Sequence, residues 1–529
     1  MAVARQGMAA TSHPAATLTA VEILKAGGHA IDAAVAACAV QCVVEAGSTG
    51  IGGDCFAMLS AQGSTDIRAY NGSGRAPSGV SLAALRAAGV SRIERHSPLA
   101  VTVPGAVEAW CRLVADHGRM PMAQILEPAI AMARQGYAIT PRVAFDLAEE
   151  QALLQRDPTA RATFLVDGRA PGVGEIQTQP LLADTLEAIG REGARAFYEG
   201  PVAQDMVGHL RALGGVHTLA DFAGTAGEYV TPISRPYRGR TVYECPPNGQ
   251  GVIALMILGI LSRFRIHGDA LDVDNLHLMI DASRLAYAAR DAWLADPAQV
   301  GVDVAHLLSD TLLDALAARI DPAGRAVELP DFGSEGALGS TGGAEHRDTV
   351  YISVVDAQRN AVSFINSLFW HYGSGLMSPR SGVLLQNRGE GFSLQAGHPN
   401  AIGPGKRPLH TIIPGMVAEN GRVTMSFGVM GGHYQATGHA HLLSRLFDHG
   451  MDLQTAISQP RLFPLPGTTQ LEIEAPLLEG AGERLRLRGY GFEQPTYAIG
   501  GAQAICIDWD KGSLFGASDH RKDGLALGY

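Results

Sequence analysis

The chain has 529 residues, of which 46% are hydrophobic and 18% are charged, and its formal net charge at pH 7 is −11. This composition is typical of a globular protein with a large buried core. An acidic balance without a basic tract excludes the electrostatic footprint of a nucleic-acid-binding surface. No segment reaches the roughly 18 consecutive apolar residues of a membrane-spanning helix, and the N-terminus lacks the apolar segment of a signal peptide. We therefore expect a cytoplasmic protein with no nucleic acid and no membrane among its partners.

The cysteines agree with that expectation. The six cysteines form no C-x-x-C pair, and most of them have apolar neighbours in the sequence. Cys38 and Cys42 fall four residues apart on one face of a predicted helix, where buried packing is the favoured interpretation. Few cysteines without a pairing pattern predict free thiols in a reducing compartment.

The first two thirds of the chain are predicted to be mainly helical. An alanine-rich helical region is broken at Gly27 and Gly28, and the glycine-rich stretch "GSTGIGGDCFAML" then leads into a strand. Further on, "RTVYECPPNGQGVIALMILGIL" indicates a strand, a Pro/Gly loop and a long apolar helix. The predicted helical regions are residues 14–45, 104–136, 180–213 and 274–320.

A long polar segment separates the helical part from a part dominated by strands. Residues 321–348 are rich in glycine and show neither helical nor strand periodicity. A segment of this length inside a compact protein is typically functional or disordered. The elements predicted beyond it are strands at 349–356, 361–368, 382–386 and 422–429, helices at about 434–449 and 475–489, and a final strand at about 502–508. This order predicts a layered α/β or α+β fold built across the whole chain.

The boundary between the polar segment and the first of these strands falls at Asp348-Thr349. Two β-rich stretches, "TVYISVVD" and "NAVSFINS", flank "AQR" and predict a hairpin. If Asp356 pairs with Asn360, the same register places Thr349 opposite Ser367. A β-branched residue commonly begins a strand. An N-terminal threonine is also a nucleophile whose own α-amine can act as the base, and that chemistry requires cleavage of the bond before Thr349.

Gly431 and Gly432 follow one predicted strand and precede a predicted helix. Successive backbone N–H groups beside a helix N-terminus can bind an anion, as the oxyanion of an acyl transfer requires. An ordinary strand–helix turn is the alternative. Histidines in the same region form no i,i+4 pair and have no carboxylate to complete a ligand set, so we predict no metal site there. These histidines are His433, His439, His441 and His449.

Together these residues resemble the gamma-glutamyltransferase (gamma-glutamyltranspeptidase) family of N-terminal-nucleophile hydrolases. The resemblance covers nearly the whole chain. The motifs that carry it, in order, are "HPAATLTAVEILKAGGHAIDAAVA", "GSTGIGGDCFAML", "VTVPGAVEAW", "YECPPNGQGVIAL", "DTVYISVVDAQRNAV", "YGSGLMSPRSGVLLQN", "NAIGPGKRPLHTIIP", "GVMGG" and "GASDHRKDGLALGY".

The resemblance implies a four-layer αββα sandwich and self-cleavage into a large subunit, residues 1–348, and a small subunit, residues 349–529, that stay together as a heterodimer. A dimer of such heterodimers is left open. It further implies Thr349 as the nucleophile, Ser367 as the hydroxyl that orients it, and an oxyanion hole at the two glycines. Neither a cofactor nor a metal is implied.

The substrate pocket departs from the gamma-glutamyl pattern. In that family an arginine holds the donor's α-carboxylate, and an acidic residue holds its ammonium group. Here Ser73 takes the arginine position, Arg75 is displaced by two, and Gly391 replaces the acidic residue. A donor ammonium without its partner should bind poorly. The other altered pocket positions are Phe369, Arg388, His410 and Thr411.

These changes resemble the oxamate amidohydrolase branch of the family, which hydrolyses a small amide with an adjacent carboxylate. Arg388 would then bind the carboxylate, although a surface ion pair with Glu390 or Asp348 is the alternative role for it. Gamma-glutamyl hydrolysis or transfer, with Arg75 binding the carboxylate, is one competing interpretation. An acylase for larger amides, with Phe369 lining its pocket, is another, and an uncleaved, inert binding protein is the third.

Overall fold

A computed structural model describes residues 1–332 and 349–529. Residues 321–332 contain neither helix nor strand, as the sequence predicts. The remainder of the predicted polar segment, including Asp348, lies outside the described residues.

Strands occur along the whole described chain, from its first residues to its last. In sequence order they are β1 (Ala2–Ala4), β2 (Met8–Thr11), β3 (Asp54–Ser60), β4 (Arg68–Gly72), β5 (Tyr137–Ala138), β6 (Ile176–Gln177), β7 (Glu228–Val230), β8 (Ile233–Tyr237), β9 (Arg240–Glu244), β10 (Val350–Val355), β11 (Ala361–Ser367), β12 (Gly415–Glu419), β13 (Arg422–Met430), β14 (Leu462–Pro464), β15 (Gln470–Ile473), β16 (Gly491–Glu493), β17 (Gly501–Asp508), β18 (Ser513–Ser518) and β19 (Leu525–Gly528).

The α-helices are concentrated in the first two thirds of the chain, as predicted. In sequence order they are α1 (Pro14–Lys25), α2 (Ala30–Val44), α3 (Leu82–Ala87), α4 (Ala106–His117), α5 (Met122–Gln135), α6 (Pro141–Glu149), α7 (Gln151–Leu154), α8 (Pro158–Phe164), α9 (Pro180–Glu192), α10 (Ala194–Tyr198), α11 (Pro201–Ala212), α12 (Leu219–Ala223), α13 (Gly251–Leu261), α14 (Val273–Trp293), α15 (Val304–Leu307), α16 (Asp310–Ala317), α17 (Gln435–Phe447), α18 (Leu453–Ser458) and α19 (Ala475–Leu487).

Two seven-stranded antiparallel sheets form the centre of the protein. One has the order β1-β18-β17-β13-β12-β9-β8, and the other has the order β19-β2-β10-β11-β3-β4-β7. Their facing sides share one apolar core, to which β10 contributes Tyr351 and Val355 and β13 contributes Met430. Because side chains alternate along a strand, Val350, Ile352 and Val354 of β10 point to the other side.

Helices cover the outer face of each sheet. The buried helix α2 packs with Val350, Ile352 and Val354 in a second core, together with α1, α4 and α5. On the opposite side, α13, α14 and α17 pack against the sheet that contains β13. The result is the four-layer αββα sandwich that the resemblance implies, and the α/β (α+β) fold class is confirmed.

Most predicted elements are present, with one clear error. Residues 382–386 do not form a strand; Leu384 and Leu385 make only isolated bridges, to Met377 and Gly52. Here the short apolar run is an irregular buried segment, because its backbone bonds with loops rather than with a neighbouring strand. The strand predicted to be the last is followed by β18 and β19, and the other strands that were not predicted are β1, β2, β4 to β8, β12 and β14 to β16.

No helix among residues 1–332 and 349–529 is long and apolar enough to cross a membrane. The second half of the alanine-rich helical region, residues 14–45, forms α2, whose residues are all buried inside the protein. All six cysteines are free, and Cys38 and Cys42 are buried on α2, as predicted.

Candidate active site

Thr349 lies immediately before β10 and faces Ser367, the last residue of β11. The two strands pair from Val350 with Asn366 to Val355 with Ala361. The Thr349 hydroxyl donates a hydrogen bond to the Ser367 hydroxyl over 3.1 Å. Both side chains are buried. The register expected from the sequence is therefore confirmed.

The backbone after β11 brings more groups to the Ser367 hydroxyl. Ser367 Oγ accepts hydrogen bonds from the Phe369 N–H at 2.9 Å and from Arg388 Nη2 at 3.3 Å. Phe369 has φ +86°, in the left-handed region that a large side chain seldom adopts. That conformation turns the chain sharply at the end of the strand. Strained residues of this kind concentrate at functional sites.

Arg388 is fully buried rather than at the protein surface; Asp348, one of the two partners considered for it, lies outside the described residues. Its Nη1 donates to Thr411 Oγ1 at 2.7 Å, while its Nη2 reaches Ser367. The guanidinium carbon lies 4.2 Å from the centre of the Phe369 ring. Contact with a ring face is favourable for a guanidinium and restricts its orientation. The geometry therefore fixes a positive charge beside the two facing hydroxyls.

His410 forms a buried pair with Asp54. His410 Nε2 lies 2.9 Å from Asp54 Oδ2, and both side chains are completely buried. Burial, followed by the positive charge of Arg388, lowers the pKa of His410 to about 4. His410 is therefore neutral at pH 7, and its Nε2–H donates to the Asp54 carboxylate.

Asp54 is a buried residue of the candidate site that sequence reasoning missed. Its Oδ1 accepts hydrogen bonds from the Gly74 N–H at 2.9 Å, the Gly105 N–H at 3.1 Å and Gln386 Nε2 at 2.9 Å. The one available signal was a carboxylate between a glycine-rich turn and a fully buried apolar strand. A buried carboxylate is costly unless its oxygens are bonded, so its position predicts converging donors.

Gly431 and Gly432 form the turn between β13 and α17. Their φ values are +117° and +58°, which favour glycine. A Cβ atom on Gly431 would lie 2.8 Å from the Gly500 Cα. Gln250 Nε2 donates to the Gly432 carbonyl at 3.0 Å and to the Thr411 carbonyl at 2.9 Å. Through Gln250, the glycine turn is connected to the segment that contacts Arg388.

The nearby histidines have separate partners. His433 Nδ1 lies 2.9 Å from Arg290 Nη1, and its ring centre is 6.5 Å from that of Phe369. Elsewhere, His439 pairs with Glu244, His441 with the Tyr434 hydroxyl, and His449 with the Gly268 carbonyl. Within the described ranges, no group of three His, Cys, Asp or Glu side chains could hold a metal ion.

Arg75 and Ser73 make their side-chain contacts with other residues. Arg75 Nη1 donates to the Gly405 carbonyl at 3.1 Å and lies 3.7 Å from Asp296 Oδ2. The Ser73 hydroxyl accepts from Asn248 Nδ2 at 3.0 Å. The structure thus brings Thr349, Ser367, Phe369, Arg388 and Thr411 together, with His410 next to Thr411. In the part of the chain that the structure describes, no hydrogen bond or ion pair joins Arg75 to that group.

The protein has an αββα sandwich in which a hydroxyl residue, Thr349, directly precedes the central strand β10. These features are typical of the class of N-terminal-nucleophile hydrolases. The crystal structure of cephalosporin acylase from Bacillus halodurans superposes with a TM-score of 0.92 and 36% sequence identity, covering 100% of this chain and 96% of that chain. The family model described as Gamma-glutamyltranspeptidase matches residues 16–529. The chain belongs to the gamma-glutamyltranspeptidase family and is an enzyme of that family.

Two curated relatives span the same length. The glutathione hydrolase-like YwrD proenzyme of Bacillus subtilis is 35% identical, with 98% of this chain and 98% of the relative covered. The oxamate amidohydrolase proenzyme of Klebsiella pneumoniae is 36% identical, with 100% and 99% covered.

Proposed function

We propose that this protein is a self-processing amidohydrolase that cleaves its own chain between Asp348 and Thr349 and then hydrolyses a small amide carrying a carboxylate beside the scissile carbonyl. The products of processing are residues 1–348 and 349–529. Both similar curated relatives are named proenzymes, and one is named for oxamate, a compound of this chemistry.

The proposed reaction uses only groups of the chain and water. The Thr349 oxygen attacks the amide carbon, and the hydroxyl proton passes to the free α-amine of Thr349. The N–H groups of Gly431 and Gly432 stabilise the oxyanion. Collapse of the tetrahedral species breaks the C–N bond, returns the proton to nitrogen and releases ammonia. Water then hydrolyses the ester on Thr349, with the same amine acting as base.

The position of Arg388 is the observation that carries the substrate proposal. Arg388 Nη2 donates to the Ser367 hydroxyl at 3.3 Å, and the Thr349 hydroxyl donates to the same oxygen at 3.1 Å. A carboxylate bound by this guanidinium is therefore close to the attacked carbonyl. That distance suits an oxamate-like acid, in which the two groups share one C–C bond. A gamma-glutamyl donor separates its carboxylate from the scissile carbonyl by three further carbons.

Each of the two competing substrate classes, gamma-glutamyl donors and larger amides, is supported by the name of one similar protein. The relative named glutathione hydrolase-like favours gamma-glutamyl donors, and the similar cephalosporin acylase favours larger amides. Against the first, Arg75 lies with the carboxylate of Asp296 and is 40% exposed. Against the second, the Phe369 ring packs on the Arg388 guanidinium, with its centre 4.2 Å from the guanidinium carbon, beside the proposed nucleophile.

Strand order supports a heterodimer that persists after processing. In one sheet, β10 and β11 of the small subunit lie between β2 and β3 of the large subunit. In the other sheet, β12 pairs with β9. Separation of the subunits would break both sheets, so the two chains should remain associated. Cytoplasmic location and a dimer of heterodimers stay predictions.

A substrate comparison tests the proposal. Ammonia release is measured with oxamate, with succinamate, whose carboxylate is two carbons further away, and with neutral propionamide, beside anilide release from a gamma-glutamyl anilide. We expect the largest kcat/KM for oxamate and a lower value for succinamate. A preference for the gamma-glutamyl anilide over all three amides would contradict the proposal.

A further inference from the structure

Asp54 joins the segments that carry the proposed carboxylate-binding groups. We propose that Asp54 is a positioning residue for substrate recognition, acting through Gln386 on Arg388 and through His410 on Thr411. This inference rests on the proposed function and adds a residue to it. Asp54 is the first residue of β3 and lies directly opposite Ser367, the last residue of β11, so the two side chains are neighbours on one face of the sheet.

The first route runs through Gln386. Its side-chain Nε2 donates to Asp54 Oδ1 and to Thr102 Oγ1, each at 2.9 Å. Its backbone N–H donates to the Gly52 carbonyl at 3.0 Å. Both its side chain and its backbone are therefore attached to the start of β3. Because Arg388 lies two residues further along, the position of its Cα depends on these attachments.

The second route runs through His410. The ring donates from Nε2 to Asp54 Oδ2 at 2.9 Å, and its Nδ1 accepts from the Ile412 N–H at 3.4 Å. Since Nδ1 is the acceptor, the single ring proton of neutral His410 is on Nε2. Asp54 thus fixes both the tautomer and the orientation of the ring. The next residue, Thr411, accepts from Arg388 at 2.7 Å.

A carboxylate is required at this position because all of its partners are donors. Two backbone N–H groups, one amide and one imidazole converge on the two oxygens of Asp54. An asparagine has the same size but carries one acceptor oxygen and one NH₂ group. Asp54→Asn would therefore place a donor against a donor and disturb Gln386, His410 or the loop at Gly74, with little change in volume.

A double-mutant cycle separates positioning from general stability. The variants are Asp54→Asn, Arg388→Gln and the two combined, and the substrates are oxamate and pyruvamide, its neutral analogue with a methyl ketone in place of the carboxylate. The measured quantity is the ratio of kcat/KM for oxamate to that for pyruvamide. We expect Asp54→Asn to lower this ratio about tenfold and to lower it no further when Arg388→Gln is already present. Self-cleavage of Asp54→Asn to the two subunits confirms that the variant folds.

The outcomes distinguish the two proposals. Equal losses for both substrates, or additive losses in the double variant, would show that Asp54 only stabilises the fold and would overturn the inference. A wild-type enzyme without preference for oxamate over pyruvamide would instead overturn the proposed function, and the inference with it. If Asp54→Asn does not fold, Gln386→Leu takes its place under the same criteria, because it removes one of the two routes.

Discussion

The hydroxyl of Thr349, the residue immediately before β10, donates to the hydroxyl of Ser367, the last residue of β11, over 3.1 Å. Ser367 also accepts from Arg388. One serine oxygen therefore connects the proposed nucleophile to the proposed substrate-binding cation. In the proposed mechanism Thr349 acts in both self-cleavage and turnover, whereas Arg388 acts only in substrate binding. Substitutions of Thr349 and of Arg388 should therefore affect different steps.

Ser367→Ala should slow both self-cleavage and turnover. The change removes the acceptor that orients the Thr349 hydroxyl, and a hydrogen bond of this kind contributes about 1 kcal/mol, or roughly a fivefold to tenfold change in rate. Cleavage is followed by denaturing electrophoresis and turnover by ammonia release. Ser91→Ala, at an exposed position, is the control. Unchanged rates in Ser367→Ala would show that the hydroxyl pair has no role.

Arg388→Gln should impair recognition of carboxylate substrates without preventing self-cleavage. Loss of a hydrogen-bonded charge pair should lower kcat/KM for oxamate by about 1.5–3 kcal/mol, or roughly 10- to 150-fold. Self-cleavage involves no external carboxylate and should proceed. Arg75→Gln is the matched control, because Arg75 lies with Asp296. A greater loss in Arg75→Gln than in Arg388→Gln would contradict the assignment of Arg388 as the carboxylate-binding residue.

The sequence predicts the local geometry around Thr349 better than the long-range contacts of the site. Alternation of apolar residues and a short "AQR" turn specify the β10–β11 register, and hence the facing of Thr349 and Ser367. By contrast, Asp54 meets His410 only because two distant segments converge in the folded chain, 356 residues apart in sequence. Periodicity carries no information about such pairs.

Similar limits explain the errors in the fold. The run at 382–386 is apolar enough for a strand, but its backbone bonds to loops, including the bond from the Gln386 N–H to the Gly52 carbonyl. The terminal strands β1 and β19 are short, and their pairing depends on partners from the other end of the chain. Arg75 is close in sequence to the altered pocket position Ser73, yet its ion pair with Asp296 depends on tertiary structure.

His410 should make stability depend on pH. Because burial lowers its pKa from 6.5 to about 4, the unfolded chain binds a proton between these pH values that the folded protein does not bind. The free energy of unfolding should therefore decrease as the pH falls from about 6.5 towards 4. Denaturant unfolding at several pH values should show a shallower decrease for His410→Gln. The exposed His520→Gln is the control, and equal slopes in wild type and His410→Gln would contradict the assignment.

Exhaustive chelation and dialysis should leave turnover unchanged. The proposed nucleophile, base and oxyanion donors are all groups of the chain, so the reaction requires no metal and no organic cofactor. Activity is measured before and after treatment, and each common divalent metal is then added back. A loss that one specific metal restores would contradict the mechanism.

The most direct test of self-processing is the mass of the chains in purified, denatured protein, combined with the N-terminal sequence of the smaller one. We predict two chains in the wild type, residues 1–348 and 349–529, with threonine as the first residue of the smaller chain. Thr349→Ala should remain a single chain of 529 residues, because no hydroxyl is left to attack the preceding carbonyl, while the exposed Thr469→Ala should be cleaved like the wild type. A wild-type chain that stays intact under assay conditions, or efficient cleavage of Thr349→Ala at the same bond, would contradict the central claim.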